Sequence, residues 1–401
     1  MSIKPQNRFI KNQKEQSGNE RVYALDALRG IMMLLGLVLH AASTYSLKSE
    51  WGTWRSKDPD NNFSFLVLVE YIHAFRMPVF FVAAGFFGAL LFYKKGPVAL
   101  LKNRFHRIVL PLVAGILIIW PCVQFAMIFS MAAFKGIANP YAEAWQSMKD
   151  LSFIPFKMVH LWFLYFLAIL ALVYFLLAML FRKETAFTIS FKKAAVYVLK
   201  SFWLRLIVVM VCYFFMLVWM GTAGIITSLT WIPNFIVLLL YFLFFSLGWM
   251  IYKTGSLPYL RTSSIAQLTA ATLLFLAADF IPWQNSGWEY TVKQMLTAVS
   301  GTLFIFGFIA FFLTYFHSYS KRLSYLMEAS YWVYIIHLPL IAFIPGLMAG
   351  SGIPVFLKFL ITLTVTSIIC MLSYKYFVRG TFIGMFLNGK VHKNNHELKI
   401  K

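Results

Sequence analysis

Residues 21–45 read RVYALDALRGIMMLLGLVLHAASTY. An apolar run of this length crosses a bilayer as a helix, yet this one carries Asp26, Arg29 and His40. Arg29 and His40 stand eleven positions apart, about three helical turns and about 16 Å along the axis, so they share a face. Met33 and Gly36 lie between them on that face, and Gly36 leaves room there. Ionisable groups inside a bilayer cost free energy and normally face a bundle interior or a watery cavity. A cation near one end of a groove and an imidazole near the other fit a site that holds an anionic substrate and moves a proton. Snorkelling of Arg29 to the cytoplasmic surface and of His40 to the outer one accounts for the pair equally well.

The rest of the chain agrees with a membrane setting. Its 401 residues are 60% hydrophobic and only 12% charged, with a mean hydropathy of +0.73. A soluble protein would carry about 25% charged residues. The apolar runs are long and do not alternate, which excludes a β-barrel. The fold class is therefore all-α, a polytopic bundle of about ten transmembrane helices, expected near residues 22–45, 64–93, 108–134, 158–181, 203–221, 233–252, 263–281, 293–316, 331–349 and 354–377. Residues 1–21 are expected to form a disordered cytoplasmic tail, 22–380 the membrane domain and 381–401 a cytoplasmic C-terminal tail that begins with an interfacial turn. The first twenty residues are polar and do not resemble a signal peptide.

Most of the 36 Lys and Arg residues fall in connections on one side, including Lys94, Lys95, Lys102, Arg104 and Arg107, and on both tails. The positive-inside rule puts both termini in the cytoplasm and requires an even number of spans. The net charge of +22 thus follows the membrane, and no nucleic-acid partner is expected. Cys122, Cys212 and Cys370 sit singly in apolar segments. No disulfide framework or metal-ligand spacing is present. Two longer outer loops hold Trp51, Trp54, Asp58 and Asp60, and Pro140, Trp145, Asp150 and Pro155. Their Trp residues fit an interfacial belt, with a sugar platform as the less common alternative.

The second span, EYIHAFRMPVFFVAAGFF, repeats Glu70, His73 and Arg76 every three residues and places Pro78 beside them. Counting inward from its outer end, Glu70 and His73 should lie near the depth of His40, and Arg76 nearer Arg29. Glu70 is then the better orienting carboxylate for His40, because Asp26 is about 20 Å away and is placed to pair with Arg29 or cap its helix. Structural ion pairing within the bundle is the competing explanation. Arg104 and Arg107, with neighbouring lysines, suit a polyphosphate or simple anchoring to lipid headgroups. His160 and Trp162 open the fourth span, and Tyr331, Tyr334 and His337 lie in the ninth. A lone intramembrane histidine often only bonds a neighbouring helix. Glu328 is placed to cap the ninth span. No Walker loop, dinucleotide glycine pattern or serine-nucleophile elbow occurs.

Taken together, LDALRG with Arg29, the spaced His40, FRMPVFFVAAGFF around Arg76, RFHR at Arg104 and Arg107, HLWFL at Trp162 and YWVYIIHLPL around His337 resemble the acyltransferase 3 family of integral membrane O-acyltransferases. The resemblance covers about residues 22–378. Within the family, IHAFRMPVFF and HAASTYS are most similar to a subgroup associated with succinylating envelope glucans. The resemblance implies ten helices, an acyl-CoA donor (succinyl-CoA for that subgroup) and a hydroxyl acceptor on a glycan outside. It implies no tightly bound cofactor. Carried over, Arg29 and His40 are the essential pair, Arg76 belongs to a second motif, and Arg104 and Arg107 help bind the donor. The resulting expectation is catalysis by His40, Arg29 and Glu70, with Asp26, His73, Arg76, Arg104, Arg107, Trp162 and His337 binding substrate. A transporter or flippase without chemistry would share the spans and the polar intramembrane residues. Release of free CoA separates the two readings. A pH-sensing membrane protein has the least support.

Overall fold

A computed structural model describes residues 4–47, 54–149, 158–281 and 287–388, and the side chains among them from Tyr23 onward apart from that of residue 386. Trp51, Asp150 and Pro155 lie outside the described residues. Among the described residues there is no strand. Ten helices follow the ten apolar runs. They are α1 (Lys4–Thr44), α2 (Phe63–Lys95), α3 (Pro97–Phe134), α4 (Val159–Leu180, opening with a 3-10 turn), α5 (Phe202–Met220), α6 (Phe235–Thr254), α7 (Ser264–Asp279), α8 (Trp288–Tyr315), α9 (Lys321–Leu347) and α10 (Val355–Val378). Nine are long and apolar enough to cross a membrane, while α7 has sixteen residues. Sixteen residues rise about 24 Å, less than the ~30 Å hydrocarbon core, and α7 lies packed along α8. The chain is an all-α, multi-pass membrane protein.

Several helices outrun the apolar windows. The expected disordered tail continues α1 back to Lys4. Once a membrane helix is nucleated, each further residue adds a backbone hydrogen bond, and Pro5 sits in the first turn where its missing N–H is harmless. The inner connection KKGPVALLKNRFHRIVLP is helical from Pro97, with only Gly96 between α2 and α3. Gly96 has φ of +90°, a conformation that glycine alone adopts without strain. Helix α9 starts at Lys321, so Glu328 does not cap it; the Ser320 side chain accepts the Leu323 N–H at 3.4 Å instead. A final short helix spans Phe382–Asn388, the stretch expected to form an interfacial turn.

Helix α2 is the hub. Its most apolar stretch is 83% buried, against 22% for α5 and α10. It packs on α1, α6 and α8, while α9 closes against α1, α3 and α10. The α2–α6 contact is backbone to backbone. A Cβ at Gly85 would stand 2.0 Å from the Phe245 carbonyl oxygen, and one at Gly248 would stand 1.8 Å from that of Val82. Without a hydrophobic drive between helices in lipid, such close approach of small residues supplies the association. Gly248→Leu is therefore expected to destabilise the bundle by at least about 1–3 kcal/mol, the usual penalty of overpacking. Gly224, whose added Cβ would meet nothing within 4 Å, should tolerate alanine. Thermal unfolding of both variants in detergent checks this.

Candidate active site

The last turns of α1 carry His40 and Ser43 into a pocket at the end of the bundle that the sequence predicts to be the outer one. His73, Arg76, Met77 and Phe80 of α2 form a second wall, and Val159, His160, Trp162 and Phe163 of α4 a third. Tyr334 of α9 closes the side, while Trp54, Thr227 and Leu229 come from outer connections. Among the described residues the pocket lining holds eight aromatic or imidazole rings and a single arginine, with no carboxylate.

Arg76 is buried at 9% exposure. Its place depends on Gly36, since a Cβ there would lie 2.1 Å from Arg76 Nη1. The guanidinium therefore rests on bare backbone of α1, about 6 Å along the axis from His40 and about 10 Å from Arg29. This corrects the depth expected from sequence: Arg76, rather than Arg29, shares the pocket with His40. The two helix ends are level, since Asn62 N–H donates to the Tyr45 carbonyl; counting by rise placed only the Arg76 backbone, and its long side chain leans toward the N-terminus of α2, which brings the guanidinium nearer His40.

Three imidazoles meet at the outer end. The His40 and His337 ring centroids are 5.5 Å apart, and those of His337 and His160 5.6 Å. His337 Nδ1 lies 2.8 Å from the Tyr334 carbonyl and 3.0 Å from that of Val333, so this nitrogen carries the proton and donates. Its Nε2 keeps a free lone pair, buried without a protein partner. The other face of His40 is covered by Trp54, with centroids 5.6 Å apart and ring planes 22° from parallel. Glu70, expected to orient His40, does not line the pocket. The rings against His40 are Trp54 and His337, and a six-residue offset turns Glu70 well away from the direction of Arg76.

His160 is held by strain. Val159, just before it, has φ of +42°, a region where a β-branched residue is a true outlier and costs about 1–3 kcal/mol. The turn persists because it is pinned on both sides. Met158 N–H donates to the Leu229 carbonyl at 2.8 Å, and the Tyr334 hydroxyl donates to the His160 carbonyl at 2.7 Å.

Asp26, Arg29, Arg104 and Arg107 gather at the opposite end of the bundle, the one expected from the sequence to face the cytoplasm. Arg29 pairs with Asp26 at 2.6 Å, and its guanidinium lies 5.1 Å from the Phe87 ring centre. Arg104 is within electrostatic reach of Arg29, Arg107 and Tyr331. The Tyr331 hydroxyl donates to the Arg107 carbonyl. Arg104 Nε and Nη2 are buried with no hydrogen-bond partner. Arg107 falls within a π-helical turn, Phe105–Val109, a local irregularity frequent at functional sites. Three guanidinium groups thus gather near the Asp26 carboxylate, and planar forks of this kind recognise phosphate.

The structure thus joins His40, His73, Arg76 and Trp162 in one pocket, with His337 against its wall. It joins Asp26, Arg29, Arg104 and Arg107 in another cluster. Arg29 and His40 do not share a pocket; Gly36 with its guanidinium, and Met32 and Met33, lie between. Trp54, Tyr334, Thr227 and Leu229 were not singled out as site residues, and His160 was left as one possible bundle contact. Tyr334, one turn before His337, carried a usable signal. The loop residues carried none.

The acyltransferase domain model of the acyltransferase 3 family matches residues 22–375. The chain belongs to that family. It is an acyltransferase, and so uses an acyl donor and a hydroxyl acceptor in a membrane setting. It is 26% identical over 389 residues to "Glucans biosynthesis protein C" of Escherichia coli strain K12, covering 92% of this chain and 95% of that one. The protein of that name from Escherichia coli O157:H7 is 25% identical over 386 residues, with the same coverage. No solved structure matches the chain.

Gly36→Ala should push the Arg76 guanidinium out of place. Acyl transfer is expected to fall at least about tenfold, the effect of losing one oriented charge-assisted bond, with normal accumulation in membranes. Arg76→Lys should not restore activity, because a point ammonium lacks the planar fork. Initial rates against membrane content, measured by immunoblot, check both.

Proposed function

We propose that this protein is a bacterial inner-membrane O-acyltransferase that takes an acyl group from acyl-CoA on the cytoplasmic side and places it on a hydroxyl of an envelope glycan. Succinyl-CoA is the donor we favour. The observation that carries the reading is the pairing of two polar sites at opposite ends of α1. The buried, unpartnered nitrogens of Arg104 lie near Arg29 and Arg107, where CoA phosphates would arrive. His40 and Arg76 line one pocket at the other end. The glucan part rests on the names of the relatives, and the succinyl part on the resemblance of the first two motifs.

In this reading the pantetheine arm follows α1 outward and delivers the thioester beside Arg76. His40 takes the proton from the acceptor hydroxyl, and the hydroxyl oxygen bonds to the thioester carbon. The carbonyl electron pair moves onto its oxygen, which lies against the Arg76 guanidinium, a preorganised charge in a site shielded from water. The pair then returns, the carbon–sulfur bond breaks, and the thiolate takes the proton from His40. The products are an ester and free CoA. His160 and His337 are buried, whereas His40 is only partly buried, which makes it the imidazole an entering hydroxyl can reach.

Mass spectrometry of envelope glycans from producing cells is the direct test. Wild type should add one acyl mass per modified sugar, and His40→Ala should add none while accumulating normally. Unmodified glycans from wild type would end the proposal. Arg104→Ala should raise KM for acyl-CoA on the order of tenfold with kcat little changed, as expected for a phosphate contact made equally in ground and transition states.

A further inference from the structure

The loop over the outer pocket is fastened at more points than a simple connection needs. Asp58 N–H donates to the Thr44 carbonyl at 3.0 Å, and Asn62 N–H to that of Tyr45 at 2.9 Å. Lys57 donates to the Ser43 carbonyl and to Ser46 Oγ, both at 2.7 Å. Burial lowers the Lys57 ammonium to about 8, so at neutral pH it is still mostly charged and caps the carbonyl end of α1, where a cation is favoured. The loop is also tied across the bundle. Lys358 of α10 is 1% exposed, and its ammonium lies 3.2 Å from Asp58 and 2.7 Å from Asp60. Asp58 is itself 2% exposed.

A buried ion pair of this kind is a poor source of stability, because desolvation offsets its attraction. It does fix one geometry. What it fixes is the segment bearing Trp54. The indole N–H donates to Thr44 Oγ1 at 3.0 Å, which leaves the ring plane stacked on His40. A catalytic imidazole needs something to set its ring angle. Among the described residues no carboxylate lines this pocket, and the ring stacked on His40 is placed to take that role.

We propose that Trp54 is the positioning residue for His40, and that Lys358, with Asp58 and Asp60, is the latch that holds Trp54 there. The proposal rests on the reading of His40 as the base. When the latch opens, Trp54 leaves the imidazole, His40 turns among its rotamers, and the pocket mouth opens to the outside. Donor binding at the far end of α1 stays as it was.

Two measurements decide the matter. The first needs no substrate. With Cys122, Cys212 and Cys370 replaced by alanine, His40→Cys places a thiol under the loop. A membrane-impermeant maleimide added from outside should label it at least ten times faster when Lys358→Met or Trp54→Ala is also present. Asp58→Asn with Lys358→Met, which leaves no buried charge uncompensated at that pair, should give the same acceleration with normal accumulation, and Lys358→Arg should restore slow labelling. Equal rates in all these backgrounds would overturn the latch. The second measurement is CoA release from succinyl-CoA with glucan oligosaccharides as acceptor. Trp54→Leu and Lys358→Met should each lower kcat about tenfold with KM for succinyl-CoA unchanged. Their combination should be no worse than either alone, and Trp54→Phe should recover most of the rate. Multiplying losses, or no recovery with phenylalanine, would overturn positioning by the ring. No CoA release from wild type would count against the acyl-transfer reading, and the labelling arm would still judge the latch.

Discussion

A buried guanidinium resting on bare backbone sets the geometry of this protein. Arg76 carries its charge into the bundle between α1 and α2, and the contact exists only because Gly36 lacks a side chain. Placing a cation there is expensive unless nearby groups can accept its field. Among the described residues the pocket answers with one tyrosine, three imidazoles and apolar aromatic rings rather than a carboxylate. A carboxylate would neutralise the charge in the resting state. On the proposed reading, aromatic and imidazole groups leave it available to negative charge that develops during reaction, which is the difference between binding a ground state and stabilising a transition state.

The same helix keeps two demands apart. The arginine cluster at the inner end of α1 suits a highly charged, soluble donor. The outer pocket suits a neutral hydroxyl, meeting it with rings and one cation. Had Arg29 and His40 faced one continuous cavity, a file of water and charge would link the two sides of the membrane. Met32, Met33 and the Gly36–Arg76 contact lie in that interval instead. On the proposed reading, that separation is bridged by a donor with a long, thin arm between its charged head and its reactive end.

Much of this was legible in the sequence, and the reason differs by residue. The ten apolar runs were plain because bilayer thickness fixes their length. His40, Arg76 and Trp162 were legible because ionisable and aromatic groups at helical spacing within such runs stand out. Arg29 was found but misassigned, since helical phase gives the face of a residue and leaves open which neighbour fills the gap. Glu70 does not line the pocket for a related reason: depth counted along a helix says nothing of the direction in which a residue at that depth points. Trp54 and Lys358 were not recoverable as partners of the site. Lys358 meets Asp58 across 300 positions, and no local pattern encodes a contact of that range.

The strained turn at Val159 completes the account. A β-branched residue at φ of +42° in a sequence with many glycines is a substitution that stability alone would remove, because glycine there would relieve the backbone. Glycine would also free the turn. The valine side chain lines the pocket and packs in the cluster with Leu37, Ala41 and Trp54, so its bulk connects the turn bearing His160 to the helix bearing His40. The energy lost to the dihedral is thus set against a fixed spacing between two imidazole walls. That exchange has value only if the distance between those walls matters, which is the expectation for a pocket that must bring a hydroxyl and a thioester into line.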